Sequence, residues 1–152
     1  MEIKNKIFIG VDPGKNGGYS LINGQEIKTF VWNDTDFIET INSLVPESCV
    51  CCVEKVGVHR GEGGLGAFTF GKSAGFIEGV LQANKIAYQL VMPQTWKKEF
   101  GLSGAKTKEQ SVEVCRKLFP TINLLPTSRH KKPHDGMAES LLMAEYARRK
   151  MG

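Results

Sequence analysis

A chain of 152 residues with 41% hydrophobic content can fill one ordinary core and is too short to divide comfortably into two, so a single domain over residues 1–152 is expected. No stretch approaches the roughly 18 apolar residues of a membrane span, and the N-terminal MEIKNK runs straight into a strand pattern, so a soluble, cytoplasmic protein is expected. The formal net charge of +4 is unevenly placed: residues 1–89 carry 8 Lys/Arg against 10 Asp/Glu, and residues 90–152 carry 12 against 6, which points the C-terminal half toward a polyanionic partner.

In chain order, "KIFIGVDPG" is an apolar run closed by Pro-Gly, and "KNGGYSLI" opens on Asn-Gly, a strong signal for a tight hairpin turn. A second Asn-Gly in "LINGQE" leads to "EIKTFVW", so three antiparallel strands come first. Asp34 or Thr35 can cap a helix through "DFIETINSLV", whose Phe37, Ile41, Leu44 and Val45 share one face. "CVCCVEKV" reads as a central strand, apolar on both faces, with Cys49, Cys51 and Cys52 packed as reduced thiols. Residues 57–66 form a glycine-rich loop, and a helix follows through "FTFGKSAGFIEGVLQAN". A strand "AYQLVM", short helices from near Pro93 and Thr107, a basic loop from about Pro120 to Pro133 and a last helix from about His134 complete the chain. The order is that of an α/β fold with a mixed five-stranded sheet flanked by helices.

The chemistry rests on carboxylates. Asp12 ends the first strand, at the sheet edge where ligands are met, and its turn leads into another strand, unlike the strand-to-helix glycine loop of dinucleotide sites. Glu54 interrupts an otherwise apolar strand, a costly place for an acid unless it is paired or binds a cation. In "HDGMAESLLMAEYARRK", Asp135 and Glu139 stand four apart and head the stripe continued by Leu142 and Tyr146. Four converging carboxylates raise one another's pKa unless positive charge is shared among them. Two hard divalent ions, Mg²⁺ or Mn²⁺, about 3.5–4 Å apart would supply that charge, activate a water and steady the leaving oxygen of a phosphodiester.

"IFIGVDPGKNGGYSLI", "CVCCVEKV", "FGKSAGFIEGVL", "MPQTWKKEFGLSGAKTKEQSV" and "HDGMAESLLMAEYA" stand in the order and spacing of RuvC-type Holliday junction resolvases of the ribonuclease-H-like superfamily, and the chain resembles a short, phage-type member over nearly its whole length. The resemblance implies a homodimeric, Mg²⁺-dependent endonuclease that nicks opposing strands of a four-way DNA junction, with no small-molecule cofactor. Phage origin would place it in the cytoplasm of a bacterial host. Asp12, Glu54 and Glu139 match the family's first-strand, central-strand and last-helix acids. The remaining family acid falls at Gly136, so either Asp135, one position earlier, takes its role or His134 approaches the metal. Lys108 resembles the lysine that opens the family's "K-x-Q" helix near the scissile phosphate, although "GAKTKEQ" is one residue out of step and Lys106 can take the place.

"KVGVHRGEGGLGAFTF" leaves the central strand beside the acids and resembles the family's junction-contacting loop. His59 and Arg60 give it charge. Phe68 is the candidate to stack on an opened base pair, worth about 1–3 kcal/mol per base, whereas Phe70 is expected in the core. Arg129, Lys131 and Lys132 precede Asp135 and suit incoming phosphates, and Lys97 and Lys98 extend the track. The helix after the loop carries two apolar stripes, one through Phe70, Ala74, Ile77 and Leu81 and another through Phe76 and Val80. One stripe is expected on the sheet and the second in a two-fold dimer interface, a reading supported by Gly71, Gly75 and Gly79 at about 1 kcal/mol each relative to alanine.

Three other readings compete. One is a junction-binding module with weak or no catalysis, and another is a nuclease of relaxed specificity that cuts flaps and forks as well. The third is a phosphate-binding protein of the actin-like or sugar-kinase type, suggested by "GVDPG" and opposed by the lack of length for a second such domain.

Overall fold

The computed structural model describes residues 5–55, 57, 61 and 63–152. Turn chemistry writes the first three strands, β1 (Ile7–Asp12), β2 (Gly18–Asn23) and β3 (Glu26–Val31), which pair antiparallel. Gly24, at φ +61°, closes the two-residue turn that sets Asn23 opposite Glu26. The chain then crosses through helix α1 (Asp34–Asn42) and a single 3₁₀ turn at Pro46–Ser48 to reach β4 (Cys49–Glu54), which lies parallel to β1. A second crossover through α2 (Gly64–Ala83) delivers β5 (Ala87–Val91), parallel to β4. The sheet order is β3-β2-β1-β4-β5, and α3 (Pro93–Glu99), α4 (Thr107–Leu118) and α5 (Asp135–Lys150) follow. This is the expected mixed five-stranded sheet.

Both faces of the central strands are covered, which is why β4 is apolar up to Glu54. On one face Ile9, Val11, Cys51 and Val53 pack with Phe37 and Ile41 of α1 and Ile77 and Leu81 of α2. On the other, Val50 and Cys52 pack with Trp96, Cys115 and the α5 residues Leu141, Leu142 and Met143. All four cysteines are free and buried. No helix among the described residues is long and apolar enough to cross a membrane.

Helix α5 lies against β1 and β2 at backbone distance, and glycine makes this possible. A Cβ on Gly10 would come within 2.0 Å of the Ser140 carbonyl oxygen, and one on Gly18 within 2.8 Å of the Gly136 oxygen. A buried Ser20–Ser140 hydroxyl pair at 2.7 Å ties the two layers together.

Three local expectations are corrected. Asn33, rather than Asp34 or Thr35, caps α1 by accepting from the Asp36 N–H, and the helix ends before Leu44 and Val45, leaving Val45 exposed. Helix α2 begins at Gly64, inside the stretch read as loop, because only Gly63 is needed as an extended cap and Leu65, Ala67 and Phe68 are sound helix formers. Phe70, expected in the core, is 39% exposed on this helix and is not a core residue.

Candidate active site

The sheet topology brings two acids to one edge. β1 and β4 run parallel with Val11 beside Val53, so the next residues, Asp12 and Glu54, end their strands side by side. The turn after Asp12 is tight: Gly14 adopts φ +112°, the Gly17 N–H donates to the Gly14 carbonyl at 2.9 Å, and a Cβ on Gly17 would strike the Asp12 carbonyl oxygen. Against this turn docks the start of α5. A Cβ on Gly136 would come within 2.6 Å of the Asn16 oxygen and the Gly17 carbonyl carbon. A side chain at position 136 would have to displace this turn. Asp135 and Glu139, one helical turn apart, then join Asp12 and Glu54 in lining a cleft of about 780 Å³.

The neighbouring His134 is committed elsewhere. It caps α5, its Nδ1 accepting from the Met137 N–H at 3.1 Å, and burial lowers its pKa.

The acids feel one another strongly. Burial, followed by the charges of Glu139, Glu54 and Asp135, raises the Asp12 carboxyl well above its ordinary range. Glu139, only 7% exposed, is pushed up to about 7 by burial and the Glu54 charge, with Lys97 and Lys108 opposing. Lys108 forms an ion pair with Asp135 at 3.2 Å, and the hydrogen bond in that pair raises the lysine's pKa. Glu54 Oε2 accepts from the indole N–H of Trp96 at 2.8 Å. Among the described residues, no three His, Cys, Asp or Glu side chains stand in a ready-made chelating arrangement. Asp12 and Glu139 stand near enough for a hydrogen bond between their carboxyls, which adds to the rise at Asp12, while the charges of Glu54 and Asp135 act on it across the cleft.

Of the basic residues singled out in the sequence, Lys97 and Lys108 line the cleft. Lys98 is exposed on α3, and Lys106 precedes α4 at its cap position; neither lines the cleft. Arg129, Lys131 and Lys132 are exposed in the segment between α4 and α5, outside the lining. Phe68, 68% exposed, projects from the first turns of α2, whereas Phe70 and Phe76 line the cleft. His59 and Arg60 lie outside the described residues. Sequence reasoning missed Lys15, Lys72 and Trp32 in the cleft wall, and Trp96 behind Glu54. Lys15 had a signal, three residues after Asp12 in the same turn. Lys72 was one helical turn before Phe76, and Trp96 stood inside a motif already quoted.

No protein-family model matches the chain. Over 95 residues it is 37% identical to the chloroplastic Holliday junction resolvase MOC1 of Chlamydomonas reinhardtii; the match spans 62% of this chain and only a tenth of that protein. Among solved structures, T. thermophilus RuvC in complex with a Holliday junction substrate aligns at TM-score 0.58 and 16% identity, covering 95% of this chain and 96% of that one. Fowlpox virus resolvase in complex with Holliday junction DNA aligns at TM-score 0.54 and 15% identity, covering 91% and 95%. The fold is therefore ribonuclease-H-like, with acids at the strand ends and last helix. In sequence and fold the chain is similar to RuvC-type Holliday junction resolvases.

Proposed function

We propose that this chain is a metal-dependent endonuclease that resolves four-way DNA junctions by paired nicks in opposing strands. The observation that carries the reading is the convergence of Asp12, Glu54, Asp135 and Glu139 on one cleft whose lining also holds Lys15, Lys72, Lys97 and Lys108. The similarity to resolvases, two of them solved on junction DNA, supports the substrate class.

The donor set fits a hard divalent cation. It is all carboxylate oxygen, and two of its members hold protons more tightly than ordinary carboxyls, so a cation that replaces those protons relieves the repulsion. Asp12, Glu54, Asp135 and Glu139 would hold Mg²⁺ or Mn²⁺. When bound, a pair of such ions supplies an activated water and stabilises the leaving oxygen of the phosphodiester.

The chain's own groups do the rest. Lys108, three-quarters exposed and paired with Asp135 among the described residues, is placed to exchange that partner for a phosphate oxygen as DNA enters. Lys15, Lys72 and Lys97 hold backbone phosphates against an acidic floor, and Arg129, Lys131 and Lys132 with Lys98 and Lys106 extend the basic approach. His59 and Arg60 belong to the same approach by their place in the sequence. Phe68 presents an aromatic face to bases opened at the junction centre. Two such clefts, one from each protomer of a homodimer, would make the paired cuts.

The acid standing at Asp135, with Gly136 at the position that matches the family's remaining acid, favours one second reading, a module that binds junctions and cuts them weakly or not at all. Cleavage of a labelled four-way junction, beside linear duplex and a Y-fork, with Mg²⁺, Mn²⁺ or EDTA, separates the two. Metal-dependent paired nicks are expected, and fork cutting would reveal broader branched-DNA activity. Binding without cutting in either metal would overturn the nuclease reading in favour of the module.

A further inference from the structure

Trp96 is the largest fully buried side chain among the described residues, packed in the core beneath the sheet face that carries α5. A tryptophan at that depth needs a partner for its indole N–H, and a backbone carbonyl or a hydroxyl would serve. Its partner is instead Glu54 Oε2, at 2.8 Å. The contact follows from topology. Glu54 pairs with Val91 at the end of β5, the chain turns at Met92 and Pro93 into α3, and Trp96, in the first turn of that helix, is brought up behind the carboxylate. The next residue, Lys97, places its ammonium 5.6 Å from the centre of the Trp96 ring and its charge acts on Glu139. Consecutive residues of one short helix thus touch two of the four acids, one through a hydrogen bond and one through charge.

We propose that Trp96 is a positioning residue for Glu54. Its N–H holds one carboxylate oxygen, so that a divalent cation in the cleft meets the other in a fixed orientation. The inference rests on the metal-dependent reading above. It follows from the general behaviour of groups that hydrogen-bond to metal ligands, whose removal weakens metal affinity about 10–100-fold without removing a ligand. Trp96 touches neither substrate nor metal. Its loss should therefore raise the amount of metal required and leave the attainable rate largely intact.

The test is calorimetric titration of Mn²⁺ and Mg²⁺ into wild type, Trp96→Phe and Asp12→Asn, with melting temperatures taken in EDTA. Trp96→Phe keeps an aromatic ring in the core and deletes the donor. The expected result is metal binding by wild type, loss in Asp12→Asn, and roughly tenfold weaker binding in Trp96→Phe that melts cooperatively in EDTA. In the cleavage assay that variant should need correspondingly more Mg²⁺ for half-maximal rate and recover near-normal rate at saturation. Equal metal affinity in wild type and a folded Trp96→Phe overturns the proposal. Failure of wild type itself to bind either metal overturns the metal-dependent reading and takes this role with it.

If Trp96→Phe does not fold, the indole N–H resonances of the native chain decide. The sequence contains two tryptophans. The indole of Trp32 bonds to Asp34 at the surface, so the exchange-protected signal belongs to Trp96. That signal should move in Glu54→Gln and on Mg²⁺ addition; an unmoved signal in both overturns the proposal.

Discussion

Glu139 shows what the site costs the fold. It is buried among three other acids and is pushed from an ordinary 4.5 up to about 7 by desolvation first and Glu54 second. A folded chain that keeps a proton the unfolded chain has released loses stability as pH rises from 4.5 to about 7, and the loss levels off above that. Glu139→Gln should therefore raise the stability of the metal-free protein at pH 8 by on the order of 2 kcal/mol, with little gain at pH 4. Denaturant titrations in EDTA at the two pH values check this; an equal or negative effect at pH 8 would show that the acids do not repel as described. The same groups set the metal-loaded behaviour. Protons on Asp12 and Glu139 compete with the cation, so cleavage at limiting Mg²⁺ should climb with pH through about 7, and saturating Mg²⁺ should flatten the climb. Asp12→Asn and Glu54→Gln remove one ligand charge each while keeping shape. Both should cut at least a hundredfold more slowly while binding a labelled junction nearly as well in a gel-shift assay. Cutting at the normal rate by either would remove that acid from the site.

At the scale of elements, the site depends on how closely α5 approaches the β1–β2 turn. Gly136 has no room for a Cβ, with Asn16 and Gly17 backbone atoms at 2.6 Å. Gly136→Ala must lift the start of α5 from the turn, at a cost of about 2 kcal/mol or more, and must displace Asp135 and Glu139 together. Thermal melting and metal titration on the same variant should both show the loss; an unchanged melting temperature would mean that the turn yields instead of the helix. This dependence bears on what the sequence could reveal. Asp12, Glu54 and Glu139 were legible because each breaks a local rule, an acid at the end of an apolar strand or at the head of an inward stripe. The five strands and their mixed pairing were legible from Asn-Gly turns and from a strand apolar on both faces. The meaning of Gly136 was not, because a glycine that admits a neighbouring backbone looks the same in sequence as one that merely loosens a helix. The start of α2 was missed for a related reason. Glycine clusters read as loop, although the non-glycine residues Leu65, Ala67 and Phe68 between them are compatible with the helix that begins at Gly64. The Trp96–Glu54 contact joins residues 42 apart, beyond the reach of local spacing.

At the scale of the whole molecule, paired cutting requires two clefts held at a fixed separation, which one chain cannot supply. The second stripe of α2 offers a surface for the partner. Phe76 and Val80 are only partly buried against the core and, with Ile38 of α1, line an apolar groove of about 430 Å³ edged by Gly75 and Gly79. A Cβ at Gly71, Gly75 or Gly79 would meet nothing within 4 Å in the isolated chain. Their helix-weakening effect of about 1 kcal/mol each therefore has no explanation in the packing of the described residues, and close approach by a second chain would supply one. This makes Gly79→Glu an informative variant. The substituted side chain has space in the monomer and a better helix propensity than glycine, so the fold should hold or gain slightly, by up to about 1 kcal/mol. Across a two-fold axis the same residue would meet its own copy or the facing groove, setting a desolvated charge against apolar surface. Wild type should run as a dimer in light scattering at micromolar concentration and cut both opposing strands of one junction before dissociating. Gly79→Glu should run as a monomer, bind divalent metal normally in its single cleft, and produce single, uncorrelated nicks. A dimeric Gly79→Glu would place the interface elsewhere on the surface. A monomeric wild type, with or without DNA, would remove the physical basis for paired cleavage altogether.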